Sequence, residues 1–366
     1  MKRVLAVLVA LALVAAAPST LQAQSLQSTL ENLSMDAAKA YVDPIVSAIG
    51  SNANGGWFHR APMGKILGLD LEVGVVFMAT TFKDENKRFD YTGQFQFSYD
   101  EAYKLAQESF PAANAFAWNQ LALRLSSQSF NLRVYGPTIV GAKDEYLTID
   151  FPQTTYNNVI IPGDSYVIPG QQYTPRDPSG AAINGLLEGL KALPLFAPQA
   201  SIGTLFGTQA TFRYLPEAKL NDKIGKAKYF GFGIQHNPEV WLGSLLPIDI
   251  AVAFYTQNLK VGDLPLFEAK TTAYGINASK RLGWGFLNLT PYAGFMLEKS
   301  TLTFKYKFNT AFAGQPYTQD ITFDLEGSNK SRIVVGASIK ILFINVNADY
   351  NIGKYNSFTL GAMLIL

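Results

Sequence analysis

The 366-residue chain contains no cysteine and only two histidines, His59 and His236. A chain without cysteine has no disulfide framework and no thiolate metal site. Two histidines far apart in sequence, without clustered carboxylates, also lack the spacing of a histidine metal site. We therefore expect no metal and no other cofactor, so packing alone must stabilise the fold.

The scarcity of histidine also narrows the catalytic options. A serine hydrolase needs a histidine beside its nucleophile, but neither Ser51 nor Ser244, the serines near the two histidines, lies in a recognisable nucleophile turn. The stretches GTLFGTQ and FGFGIQ lack the strand–turn–helix context of a phosphate-binding loop. We predict no catalytic residue and no enzymatic activity, although a serine–histidine pair formed only in space stays open.

Charged side chains make up only 16% of the chain, against about 25% in soluble domains. Aromatic residues are abundant instead, with 25 Phe, 18 Tyr and 4 Trp. The charge is balanced and forms no basic stripe, so nucleic acid is not an expected partner. This composition indicates burial against something other than the protein's own core.

The first 23 residues have the layout of a secretory signal peptide. Lys2 and Arg3 precede an apolar run over residues 4–17, and small or polar residues follow up to Ala23. The run is too short for a membrane-spanning helix and Pro18 stops it. Cleavage after Ala23 and export are therefore predicted.

Beyond residue 23, long charge-free hydrophobic runs are missing, which argues against transmembrane helices. The apolar residues alternate instead. Over Leu67–Phe77, LGLDLEVGVVF, every second residue is apolar, while Gly68, Asp70, Glu72 and Gly74 occupy the other positions. This period of two is typical of a strand with one apolar and one polar face.

Such strands suit either a lipid-facing barrel or a water-soluble sandwich. Sandwich domains have about 100 residues, and no linker divides this chain, so a soluble array of sandwiches is the weaker alternative. We predict an all-β, transmembrane antiparallel β-barrel of about 12 strands, and a count of 14 fits nearly as well. The expected strands are 66–82, 91–99, 120–134, 144–151, 200–215, 228–236, 247–260, 265–280, 286–308, 331–341, 344–351 and 357–366.

The C-terminal strand must find a partner for its outer edge. Its sequence, SFTLGAMLIL, alternates up to Leu366 and resembles the C-terminal signal of outer-membrane proteins, although an aromatic last residue is usual there. We expect it to pair with the first barrel strand, 67–82, and so close the barrel. Outer-membrane lipid and the barrel-assembly machinery are the implied partners. A parity switch between Ile341 and Ile344 favours a hairpin turn at Leu342–Phe343 over a bulge in one long strand.

Two segments do not read as barrel wall, which gives the predicted domains. Residues 1–23 are the signal peptide, 24–63 a helical plug or hatch, and 64–366 the barrel with a Pro/Gly-rich insertion at 151–199. Pro44 is expected to break the helix and Gly50 to end it, and a helix docked in the periplasm is the alternative to a plug. The insertion either constricts the lumen or lies outside, and its GLLEGLKALPLF stretch is a helix candidate.

Several motifs resemble a family of uncharacterised outer-membrane barrels from Gram-negative bacteria. They are YVDPIVSAIGSNANGGWFHRAP, PTIVG from Pro137, TFRYLP at 211–216, GFGIQHNPEVW and LPIDIAV. A barrel with an N-terminal hatch is also loosely similar to the long-chain fatty-acid transporters, which implies a hydrophobic ligand in the lumen. The Asn-Pro-Ala hatch motif of those transporters is missing, and VDPI at 42–45 is the nearest proline element.

We therefore predict an outer-membrane barrel that passes or binds a small hydrophobic ligand. The alternative is a plugged, non-conducting barrel with a structural or adhesive role. Polar networks filling the lumen would favour the plugged barrel, and a continuous apolar path from the hatch would favour transport. The hatch candidates are Trp57, Phe58, His59 and Arg60, and the lumen candidates are Asp70, Glu72, Arg213, Asp249 and Tyr255.

Overall fold

A computed structural model describes residues 35–365, except 98, 158–164, 169, 175–181, 222–224, 244–246, 263–266, 285 and 313–314. The predicted signal peptide, residues 24–34 of the predicted plug and Leu366 lie outside the described residues. Within the described part, no helix is long and apolar enough to cross a membrane.

The described residues form two compact units. The barrel unit contains Asp43–Lys83 and Gly189–Leu366, and the inserted unit contains Asp84–Glu188 together with residues up to Val42. The helices are α1 (Met35–Asn54), α2 (Tyr99–Ser109), α3 (Ala115–Ser126) and α4 (Glu239–Leu242), with a 3-10 turn at Asp84–Asn86.

The strands are numbered in chain order. They are β1 (Leu67–Thr81), β2 (Arg88–Phe95), β3 (Phe130–Pro137), β4 (Thr148–Phe151), β5 (Thr154–Asn157), β6 (Ser165–Ile168), β7 (Gln171–Tyr173), β8 (Ala192–Leu205), β9 (Thr208–Asn221), β10 (Gly225–His236), β11 (Asp249–Val261), β12 (Phe267–Ser279), β13 (Leu282–Trp284), β14 (Leu287–Phe312), β15 (Gln315–Glu326), β16 (Ser331–Ile341), β17 (Ile344–Ile352) and β18 (Ser357–Ile365).

Ten antiparallel strands form a closed barrel. Its order is β1, β8, β9, β10, β11, β12, β14, β16, β17 and β18, and β18 pairs back onto β1 from Glu72↔Ile365 to Thr80↔Ser357. The predicted pairing of the last strand with the first is therefore confirmed over the described residues. The strand count differs from prediction, since the barrel has ten strands rather than about 12.

Part of that difference lies in the inserted unit. The strands predicted at 91–99, 120–134 and 144–151 do not join the wall: β2, β3 and β4 form a separate four-stranded sheet with β7. Residues 120–126 belong to α3 instead, whose first turn is capped by the Asn114 side chain accepting from the Ala117 N–H. Alternation marks a strand with two unlike faces, but it cannot say which sheet the strand joins.

The predicted strand 200–215 is two strands. β8 and β9 are joined by Phe206–Gly207, which have φ values of 48° and 68°, as a two-residue hairpin of the primed type requires. A register shift in β8 between Ile202 and Leu205 changes the parity just before the turn changes it back. The two changes cancel, so the sequence pattern continues as if no turn were present.

β8 also begins inside the predicted insertion, whose proline content predicts no wall strand. It contains Pro194 and Pro198 and pairs with β1 over Ala192–Leu205, but its ladder with β9 begins only at Gln199. The missing proline N–H groups therefore cost no bond to β9. The helix expected in GLLEGLKALPLF is wrong, because residues 186–189 form turns and β8 follows.

The structure tests two predictions, the hairpin at Leu342–Phe343 and the end of the N-terminal helix. The hairpin at Leu342–Phe343 is confirmed by the pairing of Ile341 with Ile344, and Leu342 has a φ of 56°. α1 does not break at Pro44 or end at Gly50, because it continues to Asn54. Proline removes one helical hydrogen bond, and side-chain contacts from the barrel hold α1 beyond it.

The inserted unit has its own small core. α2 and α3 pack together through Ala102, Ala106, Leu121 and Leu125, and Phe130 of β3 joins them. The Tyr156 hydroxyl is buried at this cluster, which raises its pKa to about 12. This core contains no side chain of the barrel strands.

Candidate functional site in the barrel interior

The two faces of the barrel wall differ in polarity. Every one of the ten strands exposes large apolar side chains on the outside. The exposed set includes Leu71, Val73, Val75, Ile202, Phe212, Tyr214, Phe230, Ile234, Val252, Phe254, Tyr274, Ile276, Leu289, Phe295, Leu297, Ile333, Val335, Ile339, Val346, Tyr350, Leu360 and Leu364. A continuous apolar belt of this kind is typical of the lipid-facing surface of an outer-membrane barrel.

The inward positions of the same strands are mostly polar and buried. They include Glu72, Gln199, Ser201, Gln209, Thr211, Arg213, Gln235, Gln257, Thr271, Asn277, Ser279, Glu298, Ser300, Arg332, Ser338, Asn345, Asn347, Asp349, Asn351, Ser357 and Thr359. Buried polar groups need hydrogen-bond partners. Many of these partners come from a segment that precedes the first strand.

We call Asp43–Pro62 the luminal segment. Its residues contact nine of the ten barrel strands, through hydrogen bonds, ion pairs, stacked rings or close approach. A short segment can reach strands on all sides of a closed barrel only from its interior. The luminal segment therefore lies inside the barrel.

The segment begins at the end of the barrel formed by Ala192, Ser357 and the 353–356 connection, which we call the loop end. There the Asp43 carboxylate accepts hydrogen bonds from the Ser328 hydroxyl at 2.7 Å and the Tyr355 hydroxyl at 2.8 Å. The Ser47 hydroxyl accepts from the Ser328 N–H at 2.8 Å. These contacts fix the first turn of the segment.

The next turn approaches the wall very closely. A side chain at Gly50 would collide with Ser300 of β14, so only glycine fits there. The Ser51 and Ser357 hydroxyl oxygens lie 3.3 Å apart, and the Asn52 side chain accepts from Thr80 at 2.7 Å. Helix and wall are therefore in direct contact, with no room for another side chain at Gly50.

The first buried ion pair lies where the helix ends. Arg332 of β16 and Glu298 of β14 are 3.1 Å apart and almost fully buried. Arg332 also donates to the Ser51 carbonyl, and Asn54 donates to the same Glu298 oxygen at 2.9 Å. The luminal segment thus supplies hydrogen bonds to both members of the pair, which a buried pair needs to be tolerated.

A second arginine, Arg213 of β9, holds the residues after the helix. Its guanidinium donates to the Ala53 and Gly55 carbonyls, at 3.2 and 2.7 Å, and to Gln199 at 2.9 Å. It also lies over the Trp57 ring, 4.0 Å from its centroid. Arg213 is completely buried, so its charge is compensated by carbonyl dipoles and the indole face.

An aromatic cluster fills the middle of the barrel. Trp57 and Phe58 stack on Tyr255, at centroid distances of 5.1 and 6.3 Å, and Phe58 meets Tyr292 edge-on at 5.9 Å. Met296 and Val334 complete this buried cluster. The backbone of β10 is glycine at Gly231 and Gly233, where a side chain would collide with Trp57 or Tyr255.

A second ion-pair group follows toward the other end. Arg60 contacts both Asp70, at 3.0 Å, and Glu72 of β1, with which it makes a short hydrogen bond. The His59 Nε2 atom lies 3.5 Å from the other Glu72 oxygen. This group ties the segment to the strand that follows it in sequence.

The segment leaves the lumen at the turn end, where the Phe206–Gly207 and Leu342–Phe343 hairpins lie. The Ala61 N–H donates to Ser279 and the Pro62 carbonyl accepts from Asn237, each at 2.9 Å. The chain then enters β1. The luminal segment therefore crosses the barrel from the loop end to the turn end.

The structure brings eight of the nine predicted site residues into two groups. Trp57 and Phe58 meet Arg213 and Tyr255, and His59 and Arg60 meet Asp70 and Glu72. Asp249 is half-buried at the start of β11, within electrostatic range of Arg60 and Arg281. Their functional role stays a prediction.

Sequence reasoning missed the Arg332–Glu298–Asn54 group. Its signal was present, since Glu298 and Arg332 occupy polar-face positions of strands that were predicted correctly. The predicted barrel already places the consecutive strands 286–308 and 331–341 next to each other. What the pattern could not supply was their register, which sets Arg332 opposite Met296 and so close to Glu298. Asn54 was also hidden, because the helix was expected to end at Gly50.

The sequence profile of a family of unknown function, DUF6588, matches residues 1–365. The chain belongs to this family. No curated protein matches the DUF6588 chain.

Solved outer-membrane proteins match the DUF6588 chain at low structural similarity. Salmonella typhi OmpF in complex with daunomycin has 11% identity and a TM-score of 0.21, covering 82% of this chain and 97% of OmpF. Vibrio cholerae OmpT has 10% identity and the same TM-score, covering 82% and 99%. The Acinetobacter baumannii channel DcaP has 10% identity and a TM-score of 0.17, covering 82% and 98%. TM-scores this low carry no argument, so the barrel assignment stands on the strand pairing and the apolar belt.

Proposed function

We propose that the protein is an outer-membrane β-barrel that its own luminal segment closes to ions and small solutes. The observation that carries the proposal is the course of Asp43–Pro62, which crosses the barrel from end to end in contact with nine of its ten strands. In this arrangement the segment acts as a plug. The polar network that fills the lumen supports the plugged barrel over an open pore.

The membrane assignment rests on the exterior. Exposed apolar side chains on all ten strands would be costly in water and are stabilised by lipid acyl chains. Closure of the sheet leaves no unpaired edge in the hydrocarbon region. With the predicted signal peptide, these features favour the outer membrane, with lipid as the partner of the belt and the barrel-assembly machinery as the partner of β18 during insertion.

Buried charges support a plug that is held firmly. Arg213, Arg332, Glu298 and Glu72 are buried, and the Arg60 side chain is only 12% exposed. Arg213, Arg332 and Glu298 of the wall bond to the segment, and Arg60 of the segment bonds to Glu72 of the wall. Removing the segment would take away the Arg60 partner of Glu72 and part of the hydrogen bonds of Arg213, Arg332 and Glu298. Each buried group left unsatisfied costs about 1–3 kcal/mol. The closed state is therefore the stable one.

A reversible crosslink tests this proposal. The Ser51 and Ser357 hydroxyls are 3.3 Å apart, so Ser51→Cys with Ser357→Cys places two thiols where a disulfide can form. The natural chain has no cysteine, so only this pair reacts. In planar bilayers we expect no steady conductance from the unmodified protein, and transient openings when urea loosens the segment. Oxidation of the double variant should abolish those openings, and reduction should restore them.

The single variant Ser51→Cys is the matched control and should respond to urea like the unmodified protein under both redox conditions. Steady conductance of the unmodified protein without urea, unaffected by the crosslink, would contradict a plug. Absence of openings in urea while the crosslink is reduced would point to a barrel whose lumen is blocked independently of the segment.

Passage of a small hydrophobic ligand is the second candidate function. One observation favours it: the middle of the lumen is aromatic and apolar, formed by Trp57, Phe58, Tyr255, Tyr292 and Met296. Displacement of the segment would expose this surface to an apolar solute. The likeness to long-chain fatty-acid transporters stays a prediction.

The same crosslink distinguishes the two candidates. Transport predicts that liposomes containing the reduced double variant take up a hydrophobic fluorescent solute faster than liposomes with the oxidised variant. A purely structural or adhesive barrel predicts equal uptake in both states.

A further inference from the structure

A cavity of about 150 Å³ lies within the inserted unit, and every described residue that lines it belongs to that unit. Among the described residues, six apolar side chains line it. They are Phe97, Leu105, Leu125, Phe130, Phe151 and Pro152. An enclosed engineered cavity of about this volume with similar lining, in another protein, binds benzene.

The polar lining is sparse. It consists of Thr154 and Gln171 among the described residues, and the Thr154 hydroxyl already donates to the Pro152 carbonyl at 3.3 Å. An ordered water needs two to four polar partners, so water is a poor occupant. Gln171 is exposed, which means that the cavity reaches the surface and that a ligand can enter from solvent.

The aromatic side chains are arranged around a shared ring, that of Phe97. Phe130 meets it edge-on, with centroids 5.5 Å apart and planes at 69°, and Phe151 lies nearly parallel to it at 6.4 Å. Ring edges and faces of this kind attract a further aromatic ring in offset or edge-to-face geometry. Leu105 and Leu125, on neighbouring helices, complete the apolar part of the described lining.

The cavity has a rigid support. Behind it, α2 and α3 pack through the small residues Ala102, Ala106 and Ala122, all fully buried. The indole N–H of Trp118 donates to the Phe110 carbonyl at 2.9 Å, which holds the end of α2 against α3. A site that is already formed costs a ligand little reorganisation.

We propose that this cavity is a binding site for one aromatic ring, either a small aromatic molecule or the ring of a larger one. The site is separate from the barrel interior and does not depend on the function proposed there. Its apolar lining and volume set the ligand class, and Thr154 and Gln171 can accept or donate one hydrogen bond to a ring substituent.

Methyl NMR on the full chain in nanodiscs of deuterated lipid tests the proposal. With leucine methyl groups labelled, benzene titration should shift the Leu105 and Leu125 signals and the shifts should saturate. Partition of benzene into lipid would instead move signals of outward residues such as Leu289 in proportion to concentration. Cyclohexane, similar in size but without a ring quadrupole, should bind more weakly.

Two variants supply a matched pair. Leu105→Trp fills the cavity and should weaken the response at Leu125 by about tenfold or more, because the indole occupies the ligand's volume. Leu123→Trp places the same ring on an exposed leucine of α3 and should leave binding unchanged. Leu105→Phe is a smaller replacement should the tryptophan disturb folding.

The absence of a saturable shift at Leu105 and Leu125 in the natural chain would overturn the site. A shift that persists in Leu105→Trp would overturn its location, and equal binding of cyclohexane would overturn the aromatic class. None of these results bears on conductance, so they are independent of the test of the plug.

Discussion

The outer and inner faces of the barrel wall differ in polarity, although both come from the same alternating strands. On β14 the neighbouring residues Leu297 and Glu298 are 40% and 5% exposed, so the apolar side chain lies outside and the carboxylate lies buried. A soluble protein would place them the other way. This reversal is typical of a wall that faces lipid, and it supports the proposed membrane location.

The polar side chains of the inner face bind part of the same chain. Some of its polar groups bond to the luminal segment, through Asn52, Asn54 and backbone carbonyls of the segment. Polarity on that face is therefore a means of binding part of the same chain. Substitutions that disturb the buried polar groups inside, or the apolar side chains outside, test the difference between the two faces.

Breaking the buried pair should have the largest effect. Arg332→Ala leaves Glu298 buried without its cation and should destabilise the barrel by about 3–5 kcal/mol. Urea unfolding of the purified protein in detergent, followed by the heat-modifiable gel shift, measures this. Replacing both partners, Arg332→Met with Glu298→Leu, should cost clearly less, because no charge is left unpaired. Equal costs for the single and double variants would show that lost packing, not the orphaned carboxylate, dominates.

A charged side chain on the outer face should have the second-largest effect. Val335→Arg puts a charge in the apolar belt of β16, where lipid-facing arginine costs about 2–4 kcal/mol near the bilayer centre. The yield of folded barrel in lipid vesicles should fall, while Val335→Leu should fold like the natural chain. If Val335→Arg folds equally well, this part of the belt is not in contact with acyl chains.

Weakening the aromatic cluster should have a smaller effect on stability. Trp57→Leu removes the ring beneath Arg213 and the stack on Tyr255 while keeping an apolar side chain, at a cost of about 1–2 kcal/mol. We expect more frequent openings in planar bilayers at a given urea concentration. Phe116→Leu, an aromatic change on an exposed residue of the inserted unit, should leave the opening frequency unchanged.

An exposed ion pair gives the smallest effect and a contrast with the buried one. The Arg133 guanidinium hydrogen-bonds to Asp90 in the inserted unit and lowers the pKa of that carboxyl. This stabilisation is present above the ordinary pKa of aspartate and is lost as the pH falls through the lowered value. NMR titration should place the Asp90 pKa below its usual range, and Arg133→Gln should return it. An unchanged pKa in Arg133→Gln would show that the pair is not formed in solution.

Sequence reasoning worked best where one physical rule acted alone. The alternation from Ser357 onward and the parity switch before Ile344 predicted β18, its pairing with β1 and the Leu342–Phe343 turn, because a period of two directly reports the face of a strand. Trp57 and Arg60 were predicted as hatch candidates, and Glu72 and Arg213 as lumen candidates. All four lie where the luminal segment meets the wall, and their role stays a prediction. These residues stand out as large or charged groups at polar-face or non-strand positions.

The failures have equally local causes. The bulge in β8 and the Phe206–Gly207 turn cancelled in parity, so two strands were read as one. Pro194 and Pro198 hid a wall strand, although β8 has no β9 partner beside them. The Arg332–Glu298 contact depends on the register between two neighbouring strands, which local patterns do not contain.

The course of the luminal segment constrains the order in which the protein can assemble. The segment runs through the lumen and is joined directly to β1, and β1 makes the last contact of the ring with β18. Once those two strands have paired, Asp43–Pro62 could reach its place only by threading back through a finished barrel. Packing of the segment against the growing sheet before the ring closes avoids that passage, so the seam between β1 and β18 is expected to form last.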